Sequence, residues 1–366
     1  MLTDNAAIAG PAPVIAESLA QLIEDDVQLL VSAENFEQCP TTLSKHTHRA
    51  AIPAETPSEV AAFLNHWSPD FCVVIGRPNT PQLLQAAAQR GIALYHASPA
   101  RSSGGQARFP SYLQYFDTCL AASATEAEAM RQQFRGKDLS IEIVGPLSDT
   151  VLPPPCNDAE CDQLANLLGG RPVWLAALVS GDELEMVERA HRKAFRSAHR
   201  LLLILAPGDP AEAPKIAQRL EERGWRVGLR SRGDEPDTEI QIYIADTTGE
   251  MGLWYRLAPS TFVGGTFLPA TLPADPFEPA SLGSAVLHGP HTGKAPARFE
   301  RLGSQGASIL VSNAEELGEA VITLLSPDKA ASLAQAGWST TTESAHVVER
   351  LADLMLDVVE TRREPA

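Results

Sequence analysis

Apolar residues along this chain cluster in short continuous runs, and helical spacing fills the stretches between them. Residues 27–32 (VQLLVS), Phe71–Ile75 (FCVVI), 92–96 (IALYH), Thr118–Ala121 (TCLA) and 141–144 (IEIV) have the length and composition of strands. Pro57–Trp67 and residues 81–90 repeat apolar positions at helical spacing. Alternation of this kind predicts parallel strands joined by crossover helices. A second series runs through 173–178 (VWLAAL), 201–205 (LLLIL), 226–229, 240–244 (IQIYI), 261–263, 285–287 and 307–311. Its uninterrupted apolar runs suit strands covered on both faces.

Residues 147–171 carry Pro153, Pro154, Pro155, several Asp and Asn residues and the pair Gly169–Gly170, with a short helical piece around 162–168. This composition reads as an interdomain connection. The expected organisation is one Rossmann-like domain over 1–146, a linker over 147–171, a second Rossmann-like domain over 172–326 and a helical segment over 327–366. In that last segment Leu333, Ala336, Val348, Leu351, Met355 and Val358 are candidate core positions.

Composition narrows the function. With 366 residues, 44% hydrophobic, 28 prolines and 25 glycines, the chain suits a two-domain globular α/β protein. A formal charge of −17 argues against nucleic acid as a partner, because phosphate neutralisation by Lys and Arg supplies most of that affinity. No run approaches the roughly 20 apolar residues that span a bilayer, and MLTDNAAIAGPAP has no signal-peptide pattern. A cytoplasmic protein is expected. Cys39, Cys72, Cys119, Cys156 and Cys161 are odd in number and irregularly spaced, as reduced thiols are. Cys156 and Cys161 have no second Cys or His pair nearby, so no metal site is expected.

The candidate chemistry gathers in the second series. Thr261, Phe262 and Val263 break into Gly264, Gly265 and Thr266, as where a buried strand ends and backbone must approach a ligand. Asp275 and Glu278 stand just before the helix-like PASLG, where carboxylates could accept hydrogen bonds from sugar hydroxyls. The strand 285–287 opens into Gly289, Pro290, His291 and Thr292, with Lys294 close behind. Asp246, Thr247, Thr248, Gly249 and Glu250 follow IQIYI and precede a helical run. Each group also has a plainer reading, as a strand-ending turn, a helix cap or a polar surface loop.

From IADTTGEMGLWYRLAPSTFVGGTFLP through DPFEPASLGSAVLHGPHTG to SILVSNAEELGEAV, the chain resembles the donor-binding half of the Kdo transferases. Those enzymes use CMP-Kdo to glycosylate lipid A precursors. The resemblance continues more weakly through VWLAALVSGDELEMVERAHR and LLLILAP, and before about Pro172 only short scraps match. It implies an α/β protein of GT-B type, with two Rossmann-like domains facing an interdomain cleft and a terminal helix crossing back to the first domain. It also implies an inverting glycosyltransferase, independent of metal and cofactor, that joins a sugar from CMP-Kdo or a related sugar nucleotide to an envelope glycolipid acceptor. The place of action would be the inner face of the inner membrane, peripherally. The family usually carries an N-terminal membrane-anchoring segment, whose pattern this sequence lacks.

Carried over residue by residue, the donor site comprises Gly249, Glu250, Gly264, Gly265, Thr266, Asp275, Glu278, His291, Thr292 and Lys294. Asp275 stands where the family has Asn. The added charge beside an anionic donor calls for Lys294 or another cation. Where the family has Arg and His after LLLILAP, this chain has Gly208 and Asp209; its Ser-Thr-His run is here Leu178, Val179 and Ser180, while Glu183, Ala190, His191 and Arg192 are retained. The catalytic Glu is replaced by Pro11 after Gly10, and a pair of acidic residues by Gly76 and Pro78. Proline takes no proton, so the base is unassigned. Glu17 is a weak candidate, its alternative being a solvated helix face.

Arg77, Arg101 and Arg108 are the cations of the first half placed to bind an anionic acceptor, if they are not simply solubilising. The basic run 189–200 reads as a solvated helix face or a small membrane-docking surface. Two functions remain in view: a glycosyltransferase with altered base and acceptor, and a catalytically silent binding or regulatory protein built on the donor fold.

Overall fold

The structure, a computed structural model, describes residues 2–3, 29–33, 47–76, 79–98, 109–145, 147, 153–268, 274–293, 296–343 and 345–363. The chain divides into two compact units, residues 1–150 with 343–366, and residues 151–342.

The first unit runs β1 (Leu2–Thr3), β2 (Leu29–Ala33), β3 (Thr47–Ala51), α1 (Pro57–Trp67), β4 (Phe71–Ile75), α2 (Pro81–Gln89), β5 (Ala93–Ala97), β6 (Thr118–Ala121), α3 (Ala124–Gln133) and β7 (Ser140–Ile143). Its strands pair in parallel in the order β3-β2-β1-β4-β5-β6-β7. Helix starts follow from local chemistry: Thr56 Oγ1 accepts from Glu59 N, Ser123 Oγ accepts from Glu126 N, and the Glu55 carboxylate caps α2 through Gln82 N and Leu83 N. Val74, Leu94 and Cys119 pack on one face with Leu64, Leu84 and Met130, whereas Val73, Ile75, Tyr95 and Leu120 pack on the other. That second face is covered by the terminal helix Ala345–Arg363, through Val347, Leu351 and Met355. Arg350 pairs with Glu142 on β7, and Tyr95 Oη donates to the Leu354 carbonyl.

The second unit runs α4 (Asp158–Leu168), β8 (Val173–Val179), α5 (Leu184–Ser197), β9 (Leu202–Pro207), α6 (Ala213–Glu222), β10 (Val227–Leu229), β11 (Ile242–Ile244), α7 (Met251–Leu257), β12 (Ser260–Val263), α8 (Phe277–Ser281), β13 (Ala285–His288), α9 (Pro296–Ser304), β14 (Ser308–Leu310), α10 (Ala314–Leu324) and α11 (Pro327–Thr342). The strands are again parallel, in the order β10-β11-β9-β8-β12-β13-β14. Trp174 and Ala176 face one core and Leu175 and Ala177 the other, which accounts for the unbroken apolar runs. Chain order reverses between β8 and β12, and ligands of open α/β sheets bind beyond the carboxyl ends of strands at such a switch point.

Three features differ from the sequence reading. Residues of the expected linker belong to the second unit: the carbonyls of Pro154 and Pro155 press on Gly252, and α4 meets it through Glu160–Arg230 and Asp158–Arg256 pairs. The expected terminal segment splits, because α11 packs on α8 and β13 whereas the last helix belongs to the first unit. Strand β3, THRAA, has too little apolar character to read as a strand and sits at the sheet edge. The basic run 189–200 lies largely on α5, which packs against α10. Gly318 allows close approach there, and Lys193 pairs with Glu315 and Glu319 at 3.1 and 2.8 Å.

Candidate functional site

The switch point is built on a distorted strand end. Pairing of β8 with β9 shifts register between Ala176 and Val179, and Leu178 takes a left-handed backbone with φ 52°. The distortion turns the Ala177 and Leu178 carbonyls toward β12. Gly264 N donates to Ala177 O at 2.7 Å, and a Cβ at 264 would lie 2.5 Å from both carbonyl oxygens. Glycine is therefore required where the strand ends.

Thr266 joins two loops. It is fully buried, its Oγ1 donates to Val263 O and accepts from Gly289 N, each at 2.7 Å, and its carbonyl accepts from His291 N at 2.9 Å. Its hydroxyl is thus a structural tie that draws His291 and the half-buried Thr292 beside the β12 loop. Ala274 N donates to Gly264 O at 3.2 Å, which returns the chain to the same place and sets Asp275 next to it.

Asp275 accepts from Phe277 N at 3.0 Å through one oxygen and pairs with Arg298 of α9 through the other. Among the described residues Arg298 compensates this charge, and its guanidinium also lies 5.1 Å from the Phe277 ring. Glu278, in the first turn of α8, accepts from Tyr255 Oη at 3.3 Å. Burial, then the charge of Asp275, holds the Glu278 carboxyl above its usual range, against the opposing effects of Tyr255 and Arg298. The result is a carboxyl group poised to exchange hydrogen bonds with hydroxyls.

Gly249 and Glu250 stand at the start of α7. Gly249 has φ 83°, and Arg230 holds Glu250 with bonds of 3.1 and 2.9 Å. Thr247 donates to Glu250 as well, and Arg230 also reaches Glu160. These hydrogen bonds, Arg230 first, keep Glu250 below the ordinary carboxylate range despite burial. Glu250 is thus engaged within the protein, while α7 carries Tyr255 to Glu278.

The departures also have structural readings. Asp209, at the position expected to carry a cation, accepts from Ala211 N at 2.9 Å and caps a short turn. Gly208 N donates to Val179 O at 2.9 Å. The retained His191 lies wholly in the core, its Nδ1 accepting from Trp174 Nε1 at 3.1 Å, and burial pushes its pKa down to about 3. Arg192 donates to the buried Glu188 at 2.5 Å and lies over the Trp225 ring. These two residues build scaffold. Gly76 has φ 83° and its carbonyl lies 3.0 Å from His96 Nε2.

Hydrogen bonds therefore bring His291 to Thr266 and, through Ala274, the segment of Asp275 and Glu278 to Gly264; Gly265 lies between Gly264 and Thr266, Thr292 follows His291 in the chain, and Gly249 and Glu250 stand at the other end of α7. Glu17, Arg77, Arg101, Arg108 and Lys294 lie outside the described residues, as do Pro11 and Pro78. Tyr255 and Arg298 escaped the sequence reading of the site, and Glu183 entered it only as a residue retained from the family, without a role. Nothing local marks them, since their partners are loops remote in the chain. Among the described residues no cluster of His, Cys, Asp and Glu could hold a metal ion, and no helix is long and apolar enough to cross a membrane.

A family model described as 3-deoxy-D-manno-octulosonic-acid transferase (kdotransferase) matches residues 15–147, in the half where recognisable motifs are fewest. A 3-deoxy-D-manno-octulosonic acid transferase of Haemophilus influenzae is 25% identical over 370 residues, covering 97% of this chain and 86% of the relative. A probable mitochondrial 3-deoxy-D-manno-octulosonic acid transferase of Arabidopsis thaliana is 26% identical over 323 residues, covering 83% and 72%. Among solved structures, the C-terminal CMP-Kdo binding domain of WaaA from Acinetobacter baumannii aligns at 22% identity and TM-score 0.47, covering 50% of this chain and 98% of that domain.

Proposed function

We propose that this chain, a divergent member of the Kdo transferase family, transfers Kdo or a related sugar from CMP-Kdo or a related sugar nucleotide to an envelope glycolipid. The observation that supports the reading is the arrangement at the β8–β12 switch point, where Gly264 lets the β12 end pack directly on the β8 carbonyls, Ala274 returns the chain to it, and Glu278 in the following helix presents a half-buried carboxyl. Asp275 and Glu278 accept hydrogen bonds from donor hydroxyls. His291, Thr292 and Lys294 meet the phosphate or the sugar carboxylate, and Gly249 with Glu250 completes the nucleotide end. Arg77, Arg101 and Arg108 meet the anionic acceptor.

Transfer proceeds with inversion. The acceptor oxygen attacks the anomeric carbon as the bond to the phosphate oxygen breaks, a base takes the hydroxyl proton, and CMP departs with the electron pair. No metal or cofactor is needed. Pro11 cannot serve as the base, and Glu17 is the candidate substitute. With a capping carboxylate at Asp209 in place of a cation, charge on the departing CMP is less well stabilised, and slow turnover is expected. The acceptor places the enzyme peripherally at the inner face of the inner membrane.

The test is release of CMP from CMP-Kdo in the presence of a lipid A precursor. Release that depends on the acceptor supports the transferase. Donor binding without release, across a panel of anionic glycolipids, would leave a silent donor-binding protein instead.

A further inference from the structure

Glu183 has no part in the donor contacts proposed above, yet it lies at the centre of the switch point. It immediately precedes α5 and is fully buried. Its Oε2 accepts from Gly265 N at 2.7 Å, Ser180 N at 3.3 Å and Ser180 Oγ at 3.2 Å, and its Oε1 accepts from Phe267 N at 2.8 Å. Every one of these partners is a neutral donor. The three backbone amides converge from two loops that leave neighbouring strands, and Gly265 is left-handed with φ 75°. Convergent amides of this kind form a concave anion-binding nest.

We propose that Glu183 is a built-in anion, a positioning residue whose carboxylate fills this nest and so holds Gly264–Leu268 in the shape that receives the donor. The inference rests on the donor-site reading. Two consequences follow from the geometry. The Gly265 and Phe267 amides, at a position where other open α/β sheets cradle phosphate, are already occupied from inside the protein. The negative charge of the donor is therefore met by groups on other loops, while the β12 end serves the sugar. The carboxylate also ties the β8 end to the β12 end, so that the carbonyls facing Gly264 and the loop that follows it move as one piece.

The experiment compares the full chain with Glu183→Ala and Glu183→Gln, by thermal melting and by calorimetric titration with CMP, in sodium acetate and in sodium chloride of equal ionic strength. Acetate has the size of the group that Glu183→Ala removes. The alanine variant is expected to melt lower than the unsubstituted chain and to bind CMP about tenfold more weakly. Acetate, and not chloride, raises its midpoint by about 2 °C or more and restores CMP affinity, leaving the unsubstituted chain unchanged.

A folded Glu183→Ala that binds CMP like the unsubstituted chain, or that is indifferent to acetate, overturns the proposal. If the alanine variant does not fold, Glu183→Gln decides. It keeps the volume but offers one acceptor oxygen and turns its NH2 toward a donor, so a lowered midpoint with weakened CMP binding supports the nest and unchanged affinity overturns it. Should the unsubstituted chain bind no CMP, the donor-site reading fails. The acetate-dependent midpoint of the alanine variant, or for an unfolded alanine variant the midpoint of Glu183→Gln, still reads the nest: no acetate effect in the first, or an unchanged midpoint in the second, overturns it.

Discussion

The guanidinium of Arg298 donates to the carboxylate of Asp275, the residue that stands where the resembling transferases carry asparagine. Both side chains are shielded, at 19% and 27% exposure, so solvent does little to screen Asp275 from neighbouring Glu278. The pair restores local neutrality around a position where a lone extra carboxylate would oppose an anionic donor.

Removing the cation alone should therefore harm the site more than removing both charges. Arg298→Met is expected to raise the apparent KM for the sugar nucleotide roughly tenfold, a loss of about 1.4 kcal/mol, and to push the Glu278 carboxyl further up. Adding Asp275→Asn should recover most of the affinity. Steady-state kinetics on the single and double variants checks this coupling, which is refuted by a double variant no better than Arg298→Met.

Glycines at the two ends of the site differ in kind. Gly264→Ala drives a Cβ against the carbonyls of Ala177 and Leu178, and should cost about 3 kcal/mol or more, or prevent folding. Gly249→Ala meets no atom within 4 Å and is penalised only by its φ of 83°, about 1 kcal/mol. Urea denaturation of the two variants would rank them, and equal losses would contradict the close approach at β8.

His191 makes the second unit sensitive to mild acid. Its folded pKa, about 3, lies below the ordinary 6.5, so the unfolded chain takes up the proton first. Stability from this residue is fully present above pH 6.5 and is lost as pH falls toward 3. His191→Phe should be less stable at pH 7, having lost the bond from Trp174, yet decline less steeply between pH 6.5 and 4.5, the carboxylates that titrate toward the lower end being common to both chains. Urea midpoints across that window provide the measurement, and an unchanged slope in the variant would reject the assignment.

Elements whose signal is local were legible in the sequence. Pro57–Trp67 carries its own Thr56 cap and proline start, and FCVVI and TCLA are buried on both faces, so each could be read from its own residues. Gly264, Gly265, Asp275 and Glu278 were legible for the same reason, as glycine and acid at a strand end and a helix start. What escaped depends on partners remote in the chain. Glu183 meets Gly265 across 82 positions, and Lys193 meets Glu319 across 126. Thr266 was expected at the donor site and His191 was noted as retained, and in the structure Thr266 ties two loops while His191 is a core histidine. A motif match records position, and only the surrounding packing says whether the side chain faces ligand or core. Where the charge of Asp275 called for Lys294 or another cation, α9 supplies Arg298.

Calorimetric titration with CMP, with UMP as control and Glu278→Ala alongside, decides whether the switch-point residues bind a cytidine sugar nucleotide. Selective binding of CMP, weakened in Glu278→Ala, is the result expected from a nucleotide site coupled through Tyr255 and α7 to Glu278. Binding of neither nucleotide, or equal binding of both that is indifferent to Glu278, would contradict it.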